Sequence, residues 1–257
     1  MPDEARIFLV LPTYNECENL LLLIAAVLAL PDPINILVVD DNSPDGTGQL
    51  ADNLSAANSA VQVIHRSGKL GLGTAYTAGF ERALAQGAEL ILTMDADFSH
   101  DPKYLPGMLD ASRRFDLVIG SRYIPNGGVR DWGPERRALS RVANAIAHHV
   151  LGLKARDCTA GFRCYQRAVL KAIEPASIHA DGYSYLIEML FRCERQGFSV
   201  GEVPIIFTDR KLGTSKISQQ ELLKAAFTVS RLACRRLTDR RQRIWMDHPA
   251  SHTTRDS

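Results

Sequence analysis

Short apolar runs alternate with longer amphipathic stretches along the first half of the chain. The apolar runs predict buried strands, at Ile7–Leu11, Ile34–Val39, Val61–His65, Leu90–Met94 and Leu117–Gly120. The stretches between them repeat apolar side chains at helical spacing, at Cys17–Leu30, Gly46–Ala57, Gly73–Gln86 and Tyr104–Ser112. Strands that alternate with helices in this way form a parallel sheet with helices on both faces. We therefore predict an α/β fold with a mostly parallel sheet.

Beyond residue 121 the alternation becomes less regular. In chain order the pattern predicts a Gly- and Pro-rich loop, a helix, an irregular strand, a helix and a strand, at Pro125–Pro134, Glu135–Leu151, Phe162–Tyr165, Tyr185–Gln196 and Gly201–Phe207. No internal repeat or low-complexity linker divides the chain. We therefore predict a single domain over residues 1–240, followed by a flexible basic and polar tail at 241–257.

The composition narrows the class of protein. With 257 residues, of which 46% are hydrophobic, the chain can bury a large core, and its net charge of +1 argues against a general nucleic-acid binder. Five cysteines without a CxxC pair favour neither a disulfide framework nor a zinc site, and they indicate a reducing, cytoplasmic compartment. The start MPDEAR lacks a secretory signal. The longest apolar run, Leu20–Leu30, is shorter than the roughly 18 residues that span a bilayer.

Polar segments follow each of the first five predicted strands. They are PTYNECENL, VVDDNSPDGT, HRSGKLGLGTAY, MDADFSHDP and GSRY. Parallel strands end at the same edge of a sheet, and ligands of open α/β sheets bind beyond that edge, so we expect these segments to form one site. Tyr76 stands where a GxGxxG dinucleotide motif needs its last glycine, and no GxxxxGK[ST] phosphate loop occurs.

The fourth polar segment carries two carboxylates with a defined spacing. Asp95 and Asp97 follow the run Leu90–Met94, and residues two apart on an extended chain lie on one side, about 7 Å apart at Cα. Their oxygens can converge on one hard cation. Because Mg²⁺ prefers one or two carboxylates together with substrate phosphates, we expect a cation here that also binds a diphosphate.

Several motifs together resemble one known family. They are PTYNE, DDNSPDGT, GKLGLGTAY, DADFSHDP, GSRY, DCTAGFRCY and EVPIIFTDRKLGTSK. In this order, over residues 6–235, they are similar to the dolichol-phosphate (polyprenol-phosphate) mannose synthases of family 2 of the glycosyltransferases. The resemblance implies a GT-A, Rossmann-like fold with a donor half at about residues 1–121 and an acceptor half at 122–240. It also implies inverting transfer of mannose from GDP-mannose to a polyprenyl (dolichyl) phosphate, with Mg²⁺ or Mn²⁺.

The resemblance also implies a donor site, residue by residue. The residues implied to bind the donor are Pro12, Tyr14, Glu16, Val39, Asp41, Asp95, Ala96, Asp97 and Lys216. The metal is implied to lie at Asp95, Asp97 and Ser99. Some relatives have Gln at the position of Ser99, so we expect the shorter hydroxyl to act through water.

The acceptor phosphate is implied to lie among cationic residues. The residues are Arg122, Arg136, Ser140 and Arg210, and those implied in catalysis are Asp97, Arg122 and Arg210. A phosphate monoester carries about −1.5 to −2 charges at pH 7, so the nucleophile is already ionised and needs no general base. The obstacle is repulsion between two anions, about 4 kcal/mol per unit-charge pair at 4 Å with an effective dielectric near 20. A metal and forked guanidinium groups offset this repulsion.

Three other functions stay open at this point. A polyprenyl-phosphate glucose synthase that uses UDP-glucose would share the motifs, because no single residue here recognises the sugar C2 or C4 hydroxyl. A sugar nucleotidyltransferase needs a glycine-rich basic loop after the first strand, where this chain has PTYNECENL. A degenerate binding protein would not need carboxylates opposite cations. The roles of Asp157, Glu188, Trp132, Tyr183 and Tyr185 stay open as well.

A lipid acceptor implies a membrane surface as a partner. The segment Glu221–Arg236 predicts a helix with Leu222, Leu223, Ala226, Phe227, Ala233 and Cys234 on one side and Lys224, Arg231 and Arg235 opposite. Such a helix can pack on the core with its basic side in solvent, or it can lie on an anionic bilayer, as basic amphipathic helices do. We therefore expect a peripheral protein at the cytoplasmic face of a membrane. The resemblance also admits a small membrane partner subunit, and nucleic acid is not an expected partner.

Overall fold

The computed structural model describes residues 6–209, 226–234 and 236. Its strands are β1 (Ile7–Thr13), β2 (Ile34–Asp40), β3 (Val61–His65), β4 (Leu90–Thr93), β5 (Leu117–Ser121), β6 (Gly128–Arg130), β7 (Arg163–Gln166), β8 (Val200–Pro204) and β9 (Ile206–Thr208). Its α-helices are α1 (Cys17–Leu28), α2 (Thr47–Ala57), α3 (Leu72–Ala85), α4 (Leu105–Ala111), α5 (Pro134–Leu151), α6 (Arg167–Ile173), α7 (Gly182–Arg195) and α8 (residues 226–234). The first turn of the helix predicted at 221–236 and the tail predicted at 241–257 lie outside the described residues.

A seven-stranded sheet forms the centre of the molecule, in the order β3-β2-β1-β4-β7-β5-β8. β1 pairs in parallel with β2 and β4, β2 with β3, and β5 with β8. Only β7 runs antiparallel to its neighbours in this sheet, β4 and β5. The predicted α/β fold with a mostly parallel sheet is therefore confirmed.

The reversed strand β7 brings a further segment to the edge where the parallel strands end. Its first residue, Arg163, pairs with Thr93 at the end of β4 and with Ile119 near the end of β5. Since β7 begins where its neighbours finish, residues 157–161 lie at this same edge. The sequence pattern predicted the strand but did not give its direction.

Side chains of the strands alternate between two cores, one on each face of the sheet. In β1, Phe8 and Val10 enter the first core, whereas Leu9 and Leu11 enter the second. Helices α3, α5, α6, α7 and α8 contribute to the first core, and α1, α2 and α4 contribute to the second. The predicted cover of helices on both faces is thus confirmed. Within the ranges that the structure describes, no helix combines the length and the apolar character needed to cross a membrane.

The predicted strand Gly201–Phe207 is in fact two strands. β8 belongs to the main sheet, and β9 forms a second, two-stranded sheet with β6. Between them Ile205 is buried, and its N–H donates to the carbonyl oxygen of Ser121 at 3.0 Å. The carbonyl of Ile205 accepts from the N–H of Gly128, at the start of β6. The chain therefore passes from one sheet to the other at Ile205, which places β9 beside the end of β5.

Helix α8 forms as predicted, but the face predicted to be apolar is wrong. Val229 and Leu232 are buried, whereas Phe227 is 72% exposed. Arg231, predicted on the solvated side, forms an ion pair with Glu188 of α7, a carboxylate without exposed surface. Glu188 is also paired with Arg192 of α7, and Arg231 adds a second cation that ties α8 to α7.

Gly79 permits the close approach of α3 to β1. A Cβ atom at Gly79 would lie 2.4 Å from Cγ1 of Val10, which has no exposed surface.

The Gly79→Ala variant tests this close packing. Overpacking at such a site destabilises a protein by about 1–3 kcal/mol, and the higher helix propensity of Ala offsets about 1 kcal/mol of this at most. We therefore expect Gly79→Ala to lower the free energy of unfolding by about 1 kcal/mol in urea titrations. Gly68→Ala is the matched control, because a Cβ there would meet no atom within 4 Å. Equal stability of the two variants would contradict this account of the packing.

Candidate active site

The ends of the parallel strands line a polar cleft of about 450 Å³. Its wall includes the ends of β1, β4 and β5, the segment before β7, β9 and the start of α7. Acidic and cationic side chains face each other across it, with Asp95 and Asp97 among the acids and Lys69, Arg122 and Arg136 among the cations. Four of the five polar segments predicted to converge contribute to this cleft, whereas no residue of the second, VVDDNSPDGT, lines it.

A tight turn after β4 places both carboxylates of the Asp-x-Asp motif on the cleft wall. The N–H of Ser99 donates to Oδ1 of Asp97 at 3.0 Å. Phe98 has a φ of 59°, in the left-handed region that bulky side chains rarely adopt. Such conformations cluster at functional sites, where the surrounding structure holds them. The turn keeps Asp95, Ala96 and Asp97 together on the wall.

His100 supports this turn from beneath. It is 2% exposed and packs between the rings of Phe162 and Phe207, at 5.0 and 5.1 Å between centroids. Its Nδ1 accepts from the main-chain N–H of Asp95 at 3.3 Å. Burial lowers the pKa of His100 by more than the nearby carboxylates raise it, so the imidazole is neutral at pH 7. A neutral ring accepts at Nδ1, and it therefore orients Asp95 without adding a cation to the site.

The donor set fits a cation that shares its ligands with a diphosphate. Within the described part of the chain, no group of three or more His, Cys, Asp or Glu side chains forms a metal site. Asp95 and Asp97 are two carboxylates, which is the number that Mg²⁺ combines with substrate phosphates. The Ser99 predicted as a third ligand is also on the cleft wall and is 3% exposed.

Arg122, directly after β5, is held by the buried carboxylate of Asp157. Its Nε and Nη2 each donate to Asp157 at 2.7 Å, and its main-chain N–H donates to the same carboxylate at 2.9 Å. Nη2 also donates to Oγ1 of Thr159 at 2.8 Å. Among the residues that the structure describes, none accepts a hydrogen bond from Nη1. Since Arg122 lines the cleft, Nη1 keeps two N–H donors for a ligand.

Asp157 is itself fixed by the elements around it. Its main-chain N–H donates to Glu202 of β8 at 3.0 Å, and the next N–H, of Cys158, donates to Asn144 of α5 at 2.8 Å. Burial on its own raises the pKa of a carboxyl group, but the charge of Arg122 and its hydrogen bonds hold the pKa of Asp157 below the usual value. Asp157 is therefore ionised at pH 7, and its segment is joined to β5 by the ion pair and to β8 and α5 by these main-chain hydrogen bonds.

Arg136, on the first turn of α5, makes a second ion pair at the cleft. Its Nη1 donates to Asp209 at 2.6 Å, and its guanidinium carbon lies 4.3 Å from the centre of the Trp132 ring. Both partners of the pair are about one-quarter exposed. The arrangement places a planar cation where an anionic ligand can compete with Asp209.

A groove of about 270 Å³ with a mainly apolar lining adjoins the cleft. Its walls come from α5, α7 and α8, through side chains such as Val142, Ile146 and Ile187. The groove and the cleft share four residues, Arg122, Trp132, Thr159 and Tyr183. Polar and apolar spaces therefore meet at Arg122.

Most of the predicted site residues lie in these two spaces. Those on the cleft wall are Pro12, Glu16, Asp95, Ala96, Asp97, Ser99, Arg122 and Arg136. Ser140 lines the apolar groove instead, and its Oγ accepts from the hydroxyl of Tyr123 at 2.7 Å. The predicted positions Arg210 and Lys216 lie outside the described residues.

Three predicted donor residues, Tyr14, Val39 and Asp41, do not line the cleft. Tyr14 is 38% exposed, and the amino group of Lys69 lies 4.4 Å from the centre of its ring. Val39 is a core residue without exposed surface. Asp41 forms an ion pair with Arg66 at 2.7 Å. Donor contacts by these three side chains stay predictions.

Other cleft residues were not assigned a role from the sequence. They include Lys69, His100, Trp132, Thr159, Tyr183, Phe207 and Asp209. Lys69 could have been found by the rule that identified the others, because its loop follows β3 and ends at the same edge. Thr159 could not, since its place at the edge depends on the reversed direction of β7.

Solved structures with the same fold contain a nucleotide and a divalent cation. Glucosyl-3-phosphoglycerate synthase from Mycobacterium tuberculosis, in complex with Mn²⁺, UDP and glucosyl-3-phosphoglycerate, aligns with a TM-score of 0.63 at 18% identity, over 89% of this chain and 80% of that one. A complex of the same enzyme with Mg²⁺ and UDP aligns with a TM-score of 0.62 at 18% identity, over 89% and 79%. At this identity the likeness shows the fold alone, and the predicted GT-A fold is confirmed.

The sequence comparisons identify the family. Residues 8–174 match Glycosyl transferase family 2, and the chain belongs to this family. It is 46% identical to the polyprenol monophosphomannose synthase of Mycolicibacterium smegmatis over 91% of this chain and 89% of that protein. It is 42% identical to the undecaprenyl-phosphate mannosyltransferase of Micrococcus luteus over 88% and 93%, respectively. The family predicted from the motifs is confirmed, and the chain is a glycosyltransferase.

The buried ion pair predicts a specific loss of stability. Asp157→Asn leaves the Arg122 guanidinium buried without a counter-charge, and removing one partner of such a pair costs about 3–5 kcal/mol. We expect a loss of this size in chemical denaturation at pH 7. Asp52→Asn is the control, because Asp52 pairs with His65 at a site where both side chains are about half exposed.

The pH dependence gives a second test of the same pair. The folded-state pKa of Asp157 is depressed. Its stabilising contribution is therefore complete above the unfolded-state pKa of about 3.9, and it is lost as the pH falls through the folded-state pKa. The difference in stability between wild type and Asp157→Asn should then narrow below about pH 4. A difference that stays constant down to the acid transition would contradict an ionised Asp157.

Proposed function

We propose that this chain transfers mannose from GDP-mannose to a polyprenyl phosphate, with inversion at the reacting sugar carbon. The observation that carries the proposal is the junction of a polar cleft with an apolar groove at Arg122. A polyprenyl phosphate joins a charged head to a hydrocarbon chain, so it needs both kinds of surface side by side. The mannosyltransferase names of the two relatives support the same donor sugar and acceptor class.

The donor is proposed to occupy the wall formed by the ends of β1 and β4. Asp95 and Asp97 would hold Mg²⁺ or Mn²⁺ together with the diphosphate, and the cation would neutralise charge on the departing GDP. Pro12 and Glu16 line the same cleft and are proposed to contact the nucleoside. Lys69 adds a positive charge to this wall.

The acceptor phosphate is proposed to bind between Arg122 and Arg136. Its oxygen is ionised at pH 7, so the protein has to offset repulsion between two anions rather than remove a proton. Nη1 of Arg122 donates in a fixed direction, because Asp157 and Thr159 hold the rest of the guanidinium. Arg136 would exchange Asp209 for the phosphate. Forked guanidinium groups bind phosphate with defined geometry, which aligns the attacking oxygen.

The hydrocarbon chain is proposed to leave the cleft through the apolar groove toward a membrane surface. An apolar face of α5 is exposed to solvent, with Val142 at 54%, Ile146 at 51% and Val150 at 44% exposure, and Phe227 of α8 is 72% exposed. Residues three and four apart share one face of a helix. An exposed apolar surface of this kind is typical of a membrane or protein contact. The exposed residues Arg141 and Arg156 lie nearby and suit anionic headgroups.

A donor panel tests the proposed function. The purified chain is incubated with Mg²⁺, a polyprenyl phosphate and either GDP-mannose, GDP-glucose or UDP-glucose, and the lipid product is identified by mass spectrometry. We expect polyprenyl-phosphate mannose from GDP-mannose. A glucosylated lipid from UDP-glucose would replace the proposal with the glucose synthase, and no lipid product from any donor would refute both.

Asp97→Asn tests the metal-binding role within that assay. The amide loses the charge that holds the cation, and groups of this electrostatic kind contribute about 100-fold or more to turnover. We expect a loss of that size together with loss of Mg²⁺-dependent GDP binding in calorimetry. Asp101→Asn is the control, since Asp101 follows the same turn but pairs with Lys103 on the surface. Retention of more than about a tenth of the activity by Asp97→Asn would remove this carboxylate from the metal.

The exposed apolar face generates a membrane-binding prediction. Val150 and Phe227 are exposed and do not line the groove, so their replacement should spare the acceptor site. Burial of each such side chain contributes about 1.5 kcal/mol or more, so Val150→Ser with Phe227→Ser should weaken co-sedimentation with vesicles at least about tenfold. Ala56→Ser, at an exposed position of α2 on the other face of the sheet, is the control. Unchanged vesicle binding by the double variant would remove this face from the membrane contact.

A further inference from the structure

Trp132 lies in the wall that separates the polar cleft from the apolar groove. It follows β6, is 7% exposed and lines both spaces. Its ring meets Phe207 edge to face at 5.5 Å between centroids. The guanidinium of Arg136 lies 4.3 Å from the ring centre, and that of Arg122 lies 5.7 Å from it. The indole therefore contacts both arginines proposed to bind the acceptor phosphate.

The indole N–H is the unusual feature of this residue. Nε1 is buried, and it donates a hydrogen bond to none of the residues that the structure describes. A buried donor left without an acceptor costs about 1–3 kcal/mol. A phenylalanine would keep an aromatic ring at this position without a buried donor, although its ring is smaller than the indole. Packing against Phe207 and the two guanidinium groups thus accounts for an aromatic ring at this position, but not for its N–H.

We infer that the Trp132 indole N–H donates a hydrogen bond to a phosphate oxygen of the acceptor lipid. This inference rests on the proposed function and deepens it. The two arginines supply charge, and both are already engaged by carboxylates, Asp157 and Asp209. The indole supplies a neutral hydrogen-bond donor, which needs no carboxylate partner of its own. Trp132 also lines the groove, which the first isoprene unit after the phosphate would enter.

This arrangement makes Trp132 a determinant of acceptor specificity. A polyprenol without phosphate would fill the apolar groove but leave the indole N–H and Nη1 of Arg122 unpaired. Inorganic phosphate, which has no hydrocarbon chain, would accept hydrogen bonds from the indole N–H and from Nη1 of Arg122 but would leave the groove empty. Sites with buried polar groups reject analogues that cannot pair with them. Trp132 therefore couples recognition of the head to recognition of the chain.

A fluorescence titration tests the contact in the native residue. The chain has two tryptophans, Trp132 and Trp245, so Trp245→Phe leaves Trp132 as the only indole reporter. We expect farnesyl phosphate to change the emission of Trp132 in a saturable way, and farnesol or inorganic phosphate alone to change it far less. Emission that does not respond to farnesyl phosphate under conditions where the enzyme turns it over would overturn the inference while leaving the proposed function intact.

Kinetics of Trp132→Phe test the indole through the split between acceptor and donor KM. The phenyl ring keeps an aromatic contact but removes the N–H donor and the second ring of the indole, and a loss of packing alone would not act on the acceptor KM selectively. Loss of one hydrogen bond to a charged oxygen should raise the KM for the polyprenyl phosphate about tenfold or more, with the KM for GDP-mannose unchanged. Trp245→Phe is the matched control and should keep both values. Unchanged acceptor kinetics, or equal losses for donor and acceptor, would contradict the inference. An inactive wild type would instead refute the proposed function, so the two failures are distinguishable.

Discussion

The buried ion pair between Arg122 and Asp157 is the constraint on which the site depends. Neither charge could lie at this depth alone, because an isolated buried charge costs several kcal/mol. The carboxylate fixes the guanidinium through two hydrogen bonds, and it accepts a third from the main-chain N–H of Arg122. The remaining nitrogen, Nη1, is then held at the point where the polar cleft meets the apolar groove. This one interaction therefore defines where a phosphate with an attached hydrocarbon chain can bind.

The fold serves this ion pair through the direction of β7. Because β7 runs against its neighbours, the segment before it reaches the edge where β4 and β5 end, and it brings Asp157 to Arg122. Glu202 of β8 and Asn144 of α5 then hold that segment by its main chain. Helix α5 is thus tied to the site at one side, while its opposite side remains exposed. The same helix links the phosphate position to the surface proposed to face the membrane.

The sequence could predict the parts of the site that follow from strand ends. Asp95, Asp97 and Arg122 each follow an apolar run, and parallel strands bring such positions together. Other features depend on contacts between distant segments, which no local pattern reports. Trp132 lies in a loop without periodicity, so its contact with both arginines could not be foreseen. The orientation of α8 includes a contact between Arg231 and Glu188, 43 residues earlier in the chain. Hydrophobic periodicity alone therefore gave the wrong face of that helix.

The most direct test of the central claim is to locate the acceptor on the protein. A polyprenyl phosphate with a photoreactive diazirine on its first isoprene unit is irradiated with the enzyme, and the cross-linked residues are mapped by mass spectrometry. The account predicts cross-links on the walls of the groove, at Leu139, Ala143 or Ile187, which unlabelled polyprenyl phosphate suppresses. Cross-links confined to the donor wall around Pro12 and Glu16, or to surfaces away from Arg122, would contradict it.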